Sequence, residues 1–366
     1  MQWSLSEEQT AYRKALRDWL GDVAPPDVAR SWLDAGDPAT FTTRLRADGW
    51  SGVGVPEDVG GQGGGMVELA LTAEELARHA VPSAAWLATM VILPVLAARP
   101  EVLEGAVHGT GATLAVNAES IVSEAPALTA DAQGRVSGAV PRVLAAGEVG
   151  ALVVPVAADE GLALFLVDPA GPGVRITPRS LLDRSRSVAD VAFDCAPCTP
   201  LADPADVRDQ GGTRPEELLA DAAARAAVLV AADSLGTSER MLDMAVEYSL
   251  QRHQFGVPIG SFQAVKHAAA TILVGSEAAR SVVYFAAASV QGGDPWALAH
   301  AAAAKAQVTA EGARAADSAL TMHGAIGYTW EHDLHLFYKR AKLDEFLYGS
   351  PTAWNEVLAT YLLPDR

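Results

Sequence analysis

The chain has 366 residues, half of them apolar, enough for one large or two to three modest domains around a sizeable core. A formal net charge of -18 argues against nucleic acid and anionic lipid as partners, and two cysteines, Cys195 and Cys198, cannot make a disulfide framework. No uninterrupted apolar run reaches membrane-spanning length, and Met1 to Glu8 lacks a basic stretch followed by an apolar one, so a cytoplasmic protein without membrane contact is expected.

Residues 1–111 read as helices broken by turns. Ser6 followed by Gln9 predicts a capping box at the first helix, and Tyr12, Leu16 and Trp19 recur at helical spacing as a buried stripe. Gly54 to Gly65 has five glycines after Asp58 and reads as a loop, followed by a helix over about Val67 to Arg78. From about residue 112 the period shortens. TLAVNAE, GRVSGAV, GALVVPV, LALFLVD, GVRIT and VADVAFD read as strands of a small antiparallel domain, a barrel or sandwich, ending at residue 205. Thr199 to Thr213, rich in Asp, Pro and Gly, reads as a linker.

Long helices follow over 213–366. A Thr213/Glu216 capping box with Pro215 inside it opens one that runs to about Leu250. A loop, QRHQFGVPIGS, leads to a second helix over about Phe262 to Val290. Asp294-Pro295 opens a third ending near His323, Thr329 caps a fourth ending near Gly349, and Ser350-Pro351 opens a short fifth. Long antiparallel helices with short connections predict a bundle. The expected fold is therefore α+β and mainly α: an N-terminal helical domain (1–111), a middle β-barrel or sandwich domain (112–205) and a C-terminal four-helix-bundle domain (213–366).

Arg252 through Gln263 combine a cation, a turn at Gly256, an aromatic ring at Phe255 and a helix start at Gln263. Such a set can bind a diphosphate beside a flat ring, where the alternative is a plain helix connection with a surface Arg. His332 and His335 share a helical face near Glu331, yet no second ligand pair is in view, and a packed helix start is the simpler reading. Cys195-x-x-Cys198 likewise lacks the partner pair that zinc needs and reads as a strand-end loop. No metal is expected.

The order helices, strands, bundle, together with four motifs, resembles the acyl-CoA dehydrogenase family over essentially the whole chain. The motifs are Gly49-Trp50 through PEDVGGQGG, LLDRSRSVADVAFD, RHQFGVPIGSFQAVKH (Arg252 to His267) and HGAIGYTWEHDLHLFYKRAK (His323 to Lys342). The third is the most specific, because its spacing is long and fixed. The resemblance implies an FAD cofactor, touched by Arg252, Gln254, Phe255 and Gln263 across a subunit interface. Thr321 and Gly324 fall at the adenine-ribose end, with Thr321 where the family has Gln and Ala325 where it has a second Gly.

Family chemistry also requires a Glu that removes the α-proton of an acyl-CoA thioester. Of its two known places, one here holds Tyr348 and the other Ala226, beside Arg225. A tyrosine near its ordinary pKa of about 10 is a poor base at neutral pH. Where the family sets a Thr against the flavin ring this chain reads Arg142-Val143-Leu144, and Leu144 has no group to donate. The flavin- and substrate-contacting Thr-Glu-Pro and Gly-Ser-Asp segment is replaced by Val116 to Ile121. In these losses the chain is similar to the base-less subunit type of actinobacterial heteromeric steroid-CoA dehydrogenases.

That likeness implies a subunit that completes the FAD site of a catalytic partner in an α2β2 heterotetramer. It acts on an acyl-CoA, in this group a steroid-derived one, with electron-transfer flavoprotein as acceptor. The alternatives are a self-sufficient dehydrogenase, in a homo-oligomer, whose base is Glu331, Asp344 or Glu345; a flavoprotein of secondary metabolism on the same scaffold; and a flavin-free assembly protein. The kept Arg252–Gln263 loop argues against the last.

Overall fold

The structure, a computed structural model, describes residues 5–123, 128–131, 133–158, 161–202 and 213–363. Helix α1 (Glu7–Val23) starts on the expected capping box. Ser6 Oγ accepts from the Gln9 backbone N–H at 3.1 Å, and Gln9 Oε1 accepts from that of Ser6 at 3.0 Å. Leu16 and Leu20 are sealed in the core, whereas Tyr12 and Trp19 are half-buried. Pro26 and Pro38 open α2 (Pro26–Ala35) and α3 (Pro38–Ala47), where a proline's missing N–H costs nothing. The glycine-rich stretch is a loop folded on itself, with Gly54 N–H donating to Gly63 O and Gly63 N–H to Val55 O. Helices α4 (Met66–Arg78), α5 (Ala84–Val91), α6 (Leu93–Ala97) and α7 (Pro100–His108) follow.

The strands form two four-stranded sheets. One has the order β1 (Ala112–Leu114), β4 (Ala151–Ala158), β5 (Gly161–Val167), β8 (Thr199–Ala202). The other has the order β2 (Thr129–Ala130), β3 (Arg135–Leu144), β7 (Val188–Pro197), β6 (Val174–Arg179). Thr113 Oγ1 on β1 donates to Leu144 O on β3 at 2.8 Å, a buried stitch from one sheet to the other. Three expectations are corrected here. β1 pairs with β4 in parallel, so the domain is not wholly antiparallel. TLAVNAE is a strand only to Leu114, because Asn117 Oδ1 takes the Glu119 N–H and makes a turn. The first four residues of the expected linker are strand β8, paired to β5; the remainder, 203–212, lies outside the described residues.

Helix α8 (Pro215–Gln251) starts without the Thr213/Glu216 box. The Glu216 carboxylate instead accepts from the Leu162 N–H at 2.8 Å, a partner that proximity in sequence cannot reveal. Helices α9 (Gln263–Gln291), α10 (Ala297–His323), α11 (Leu334–Asp344) and α12 (Pro351–Leu362) complete the chain. Ser350 caps α12 as expected, accepting from Ala353 N–H at 3.3 Å. Thr329 does not cap α11: its hydroxyl donates to Ile326 O, and the helix starts at Leu334 and stops at Asp344, short of Gly349. Among the described residues no helix is long and apolar enough to cross a membrane.

By contact the chain divides into two units. One gathers Met1–Ser31, Ala70–Val81 and Ala227–Arg366; the other Trp32–Leu69 and Pro82–Ala226. Inside the first, a Cβ on Gly236 would stand 2.1 Å from Glu74 O, so α4 and α8 pack in near backbone contact that only glycine permits. The second holds both sheets.

Candidate functional site

In the helical unit, α8 gives way at Arg252 to a small hairpin, β9 (His253–Gln254) and β10 (Val257–Pro258). The expected loop is thus partly strand. Phe255 (φ 53°) and Gly256 (φ 83°) are both left-handed, as a two-residue hairpin turn with the right twist requires. Glycine takes that conformation freely; phenylalanine is strained by about 1–2 kcal/mol. The Phe255 ring is also 92% exposed and meets the Phe262 ring edge-on at 6.2 Å. Arg252, Gln254 and Gln263 are exposed as well, with no side-chain hydrogen bond or ion pair to any described residue. Gln263 begins α9, and Phe262 at its cap position cannot satisfy the helix's first N–H groups. A free guanidinium, two free amides, a helix N-terminus and an outward-facing ring can bind an anionic dinucleotide.

The His323–Lys342 motif lies in the same unit. Thr321 is exposed and back-bonds Asp317 O at 2.8 Å, and Gly324 (φ 64°, ψ -142°) ends α10. Tyr248, four residues before Arg252, stacks on the His323 ring at 4.8 Å, and His332 meets the other two rings. The Tyr248 carbonyl also accepts the Arg252 N–H at 2.8 Å, so this tyrosine ties the two motifs together. Sequence reading overlooked it, although its spacing from Arg252 is one helical turn. Burial lowers the pKa of both His323 and His332. His335 points elsewhere, against the Trp330 ring and 3.2 Å from Lys339 Nζ. His332 and His335 therefore do not converge, and among the described residues no three His, Cys, Asp or Glu side chains form a metal-binding group.

Tyr348 is 2% exposed, with φ 56° and its carbonyl held by Trp354 Nε1 at 2.8 Å. Of the three candidate carboxylates, Asp344 is completely buried, Glu345 half-buried and Glu331 exposed. Lys305 explains this segment. Its Nζ, sealed in the core, donates to the carbonyls of Asp344 (2.9 Å), Glu345 (3.4 Å) and Gly349 (2.9 Å), serving as the C-cap of α11. Burial pushes the Lys305 ammonium down to about 7, while the Asp344 carboxylate pulls the other way. Asp344 is therefore part of the core and not open to a substrate.

In the sheet-bearing unit Ala226 is fully buried, and Arg225 Nε donates to Met90 O at 3.0 Å. Burial pushes this guanidinium down to about 10 against the pull of Asp221. Leu144 is 1% exposed. Beside it, Ala118 N–H donates to Arg142 O at 2.9 Å, and Arg142 pairs with Glu119 at 3.0 Å. Residues 117–120 are thus bonded onto the edge of β3 rather than left open. The SRS stretch is structural: Arg186 Nη1 reaches Ser83 Oγ at 2.7 Å, at the start of α5, and Asp183 Oδ1 holds Ser185 N–H at 2.8 Å. Cys195 and Cys198 are free thiols, the first exposed; Cys198 Sγ reaches Gly134 O at 3.1 Å.

Two family models match: "Acyl-CoA dehydrogenase, N-terminal domain" over residues 6–99 and "Acyl-CoA dehydrogenase, C-terminal domain" over 218–359. The chain is 32% identical over 362 residues to acyl-CoA dehydrogenase FadE34 of Mycobacterium tuberculosis, covering 95% of this chain but only 47% of that one, so it spans about half of that relative. It is 31% identical to acyl-CoA dehydrogenase IpdE2 of the same organism, over 94% of each chain. Among solved structures it is similar to a variant of the Tcur3481-Tcur3483 steroid ACAD (26% identity, TM-score 0.86, 98% of both chains). It is also similar to the ChsE4-ChsE5 complex from Mycobacterium tuberculosis (25% identity, TM-score 0.85, 100% of both chains).

Proposed function

Because the chain belongs to the acyl-CoA dehydrogenase family of FAD-dependent flavoproteins, we propose that it is a base-less subunit whose Arg252–Gln263 hairpin completes the FAD site of a catalytic partner. The observation that carries this reading is an asymmetry. The hairpin is strained and exposed, with its Arg252 and Gln254 side chains and that of Gln263 bonded to no described residue, whereas neither base position holds a carboxylate: one has the buried phenol of Tyr348, the other Ala226 in the core. When bound, FAD would supply the acceptor for the β-hydride of the acyl chain.

The residues of the hairpin fit that group. Arg252 would neutralise the pyrophosphate, Phe255 would cover the adenine, and Gln254 and Gln263 would bond the polar edge, with Thr321 and Gly324 at the adenine-ribose end. The chain's own ring wall does not fit. Leu144 has no donor to offer, and the Arg142–Glu119 pair takes up the neighbouring polar groups. Lack of a general base alone removes about 10²- to 10⁴-fold of rate.

The partner in this reading is a second acyl-CoA dehydrogenase subunit in an α2β2 assembly, the substrate a steroid-derived acyl-CoA, and the acceptor electron-transfer flavoprotein. Similarity to a steroid ACAD and to a two-component complex supports the first two. Of the three bases open to a self-sufficient enzyme, Asp344 is sealed, which leaves Glu331 and Glu345. The test is to purify the chain alone and with its candidate partner, and to count flavin by absorbance. One flavin for every two chains, only in the mixed assembly, is expected, and Arg252→Ala should lower it. Full loading and acyl-CoA oxidation by the chain alone would overturn the proposal.

A further inference from the structure

Away from the hairpin, the helical unit contains a cavity of about 250 Å³ between α1, the start of α2, the end of α4, α8 and α11. One part of its wall is apolar, including Ala24, Ala29, Ala80, Leu336 and Phe337. The other part carries three guanidiniums, Arg17, Arg78 and Arg240, with the His79 ring beside them. Two of the guanidiniums are committed. Arg17 forks onto Glu75 at 2.9 and 2.5 Å, and Arg78 reaches Glu239 at 2.8 Å and Asp243 at 2.6 Å. Among the described residues Asp333 is the only carboxylate in the wall, and Arg30 engages it at 2.7 Å. Arg240 remains, half-buried, without an ion pair or side-chain hydrogen bond to any described residue. His79 adds to the picture. Its Nδ1 is taken by Glu75 O at 2.9 Å, and burial, with help from Arg78 and Arg240, keeps the ring below its ordinary range.

We propose that this cavity binds a small amphipathic carboxylate, its acid group on Arg240 and its short hydrocarbon body against Ala29, Ala80 and Phe337. A planar guanidinium left free at the wall of a small pocket meets a carboxylate with two parallel bonds, and the apolar wall selects a hydrocarbon tail over an inorganic anion. The volume suits an acid of a few carbons and excludes a whole CoA thioester. The site is independent of the hairpin at Arg252 and does not rest on the assignment of a flavin partner.

Isothermal titration calorimetry of the full chain with sodium hexanoate, hexan-1-ol and sodium sulfate tests it. Hexanoate should bind at millimolar concentration or tighter, and the alcohol and sulfate at least about tenfold more weakly. Arg240→Gln should weaken hexanoate by about tenfold or more. Ala29→Leu, which fills the cavity and leaves every charge in place, should abolish binding and covers the case in which the Arg240 variant does not fold. Hexanoate binding that is absent, matched by hexan-1-ol, or unchanged in either folded variant would overturn the proposal.

Discussion

Arg340 on α11 is completely buried and forks onto Asp233 on α8, with Nε to Oδ1 at 2.7 Å and Nη2 to Oδ2 at 2.6 Å; Nη1 reaches Val81 O at 3.1 Å. Asp233 is itself 2% exposed. Two charges sealed together have lost their hydration, and their attraction roughly offsets that loss. Removing one of them does not. Arg340→Met should take away the cation that the buried Asp233 carboxylate is paired with and cost about 3–5 kcal/mol. The freed Val81 carbonyl should add about 1 kcal/mol. The double variant Arg340→Met/Asp233→Leu removes both charges, fills similar volume, and should recover all but about 1–2 kcal/mol. The assay is urea unfolding at one fixed protomer concentration, comparing midpoints, since assembly would otherwise shift apparent stability. A single variant that loses less than about 1 kcal/mol, or a double variant worse than the single one, would refute the reasoning.

Glu74 is buried, and desolvation together with the Glu239 charge raises its carboxyl to about 7 from an ordinary 4.5. A folded-state value above the unfolded one means that the stability it contributes is full below about 4.5 and is lost as pH rises through about 7. Glu74→Gln should therefore gain on the native protein by on the order of 3 kcal/mol between pH 4 and pH 8, read as diverging Tm curves; parallel curves would count against it. Phe255→Gly removes αL strain and should raise stability by about 1 kcal/mol while lowering flavin retention in the mixed assembly. If stability and flavin content fell together, the ring would be structural.

Local chemistry was legible in the sequence. The Ser6/Gln9 box, the Ser350 cap, the strand periods and the Gly54–Gly65 loop depend on residues within one helical turn or one strand of each other. The same holds for the absence of a carboxylate at Tyr348 and Ala226, which is read by counting along motifs. Tertiary structure decided what depends on distant segments meeting. It turned Glu216 away from its helix cap toward Leu162, set β1 parallel to β4, and made the SRS stretch a clamp on Ser83. It also sealed Asp344 beside Lys305, left Phe255 outward in a strained turn, and left Arg240 without an ion pair to any described residue beside a cavity. In each case the residue type permits several partners, and the one chosen is the partner that packing brings within hydrogen-bond reach, because a buried polar group must be satisfied by whatever the fold places next to it.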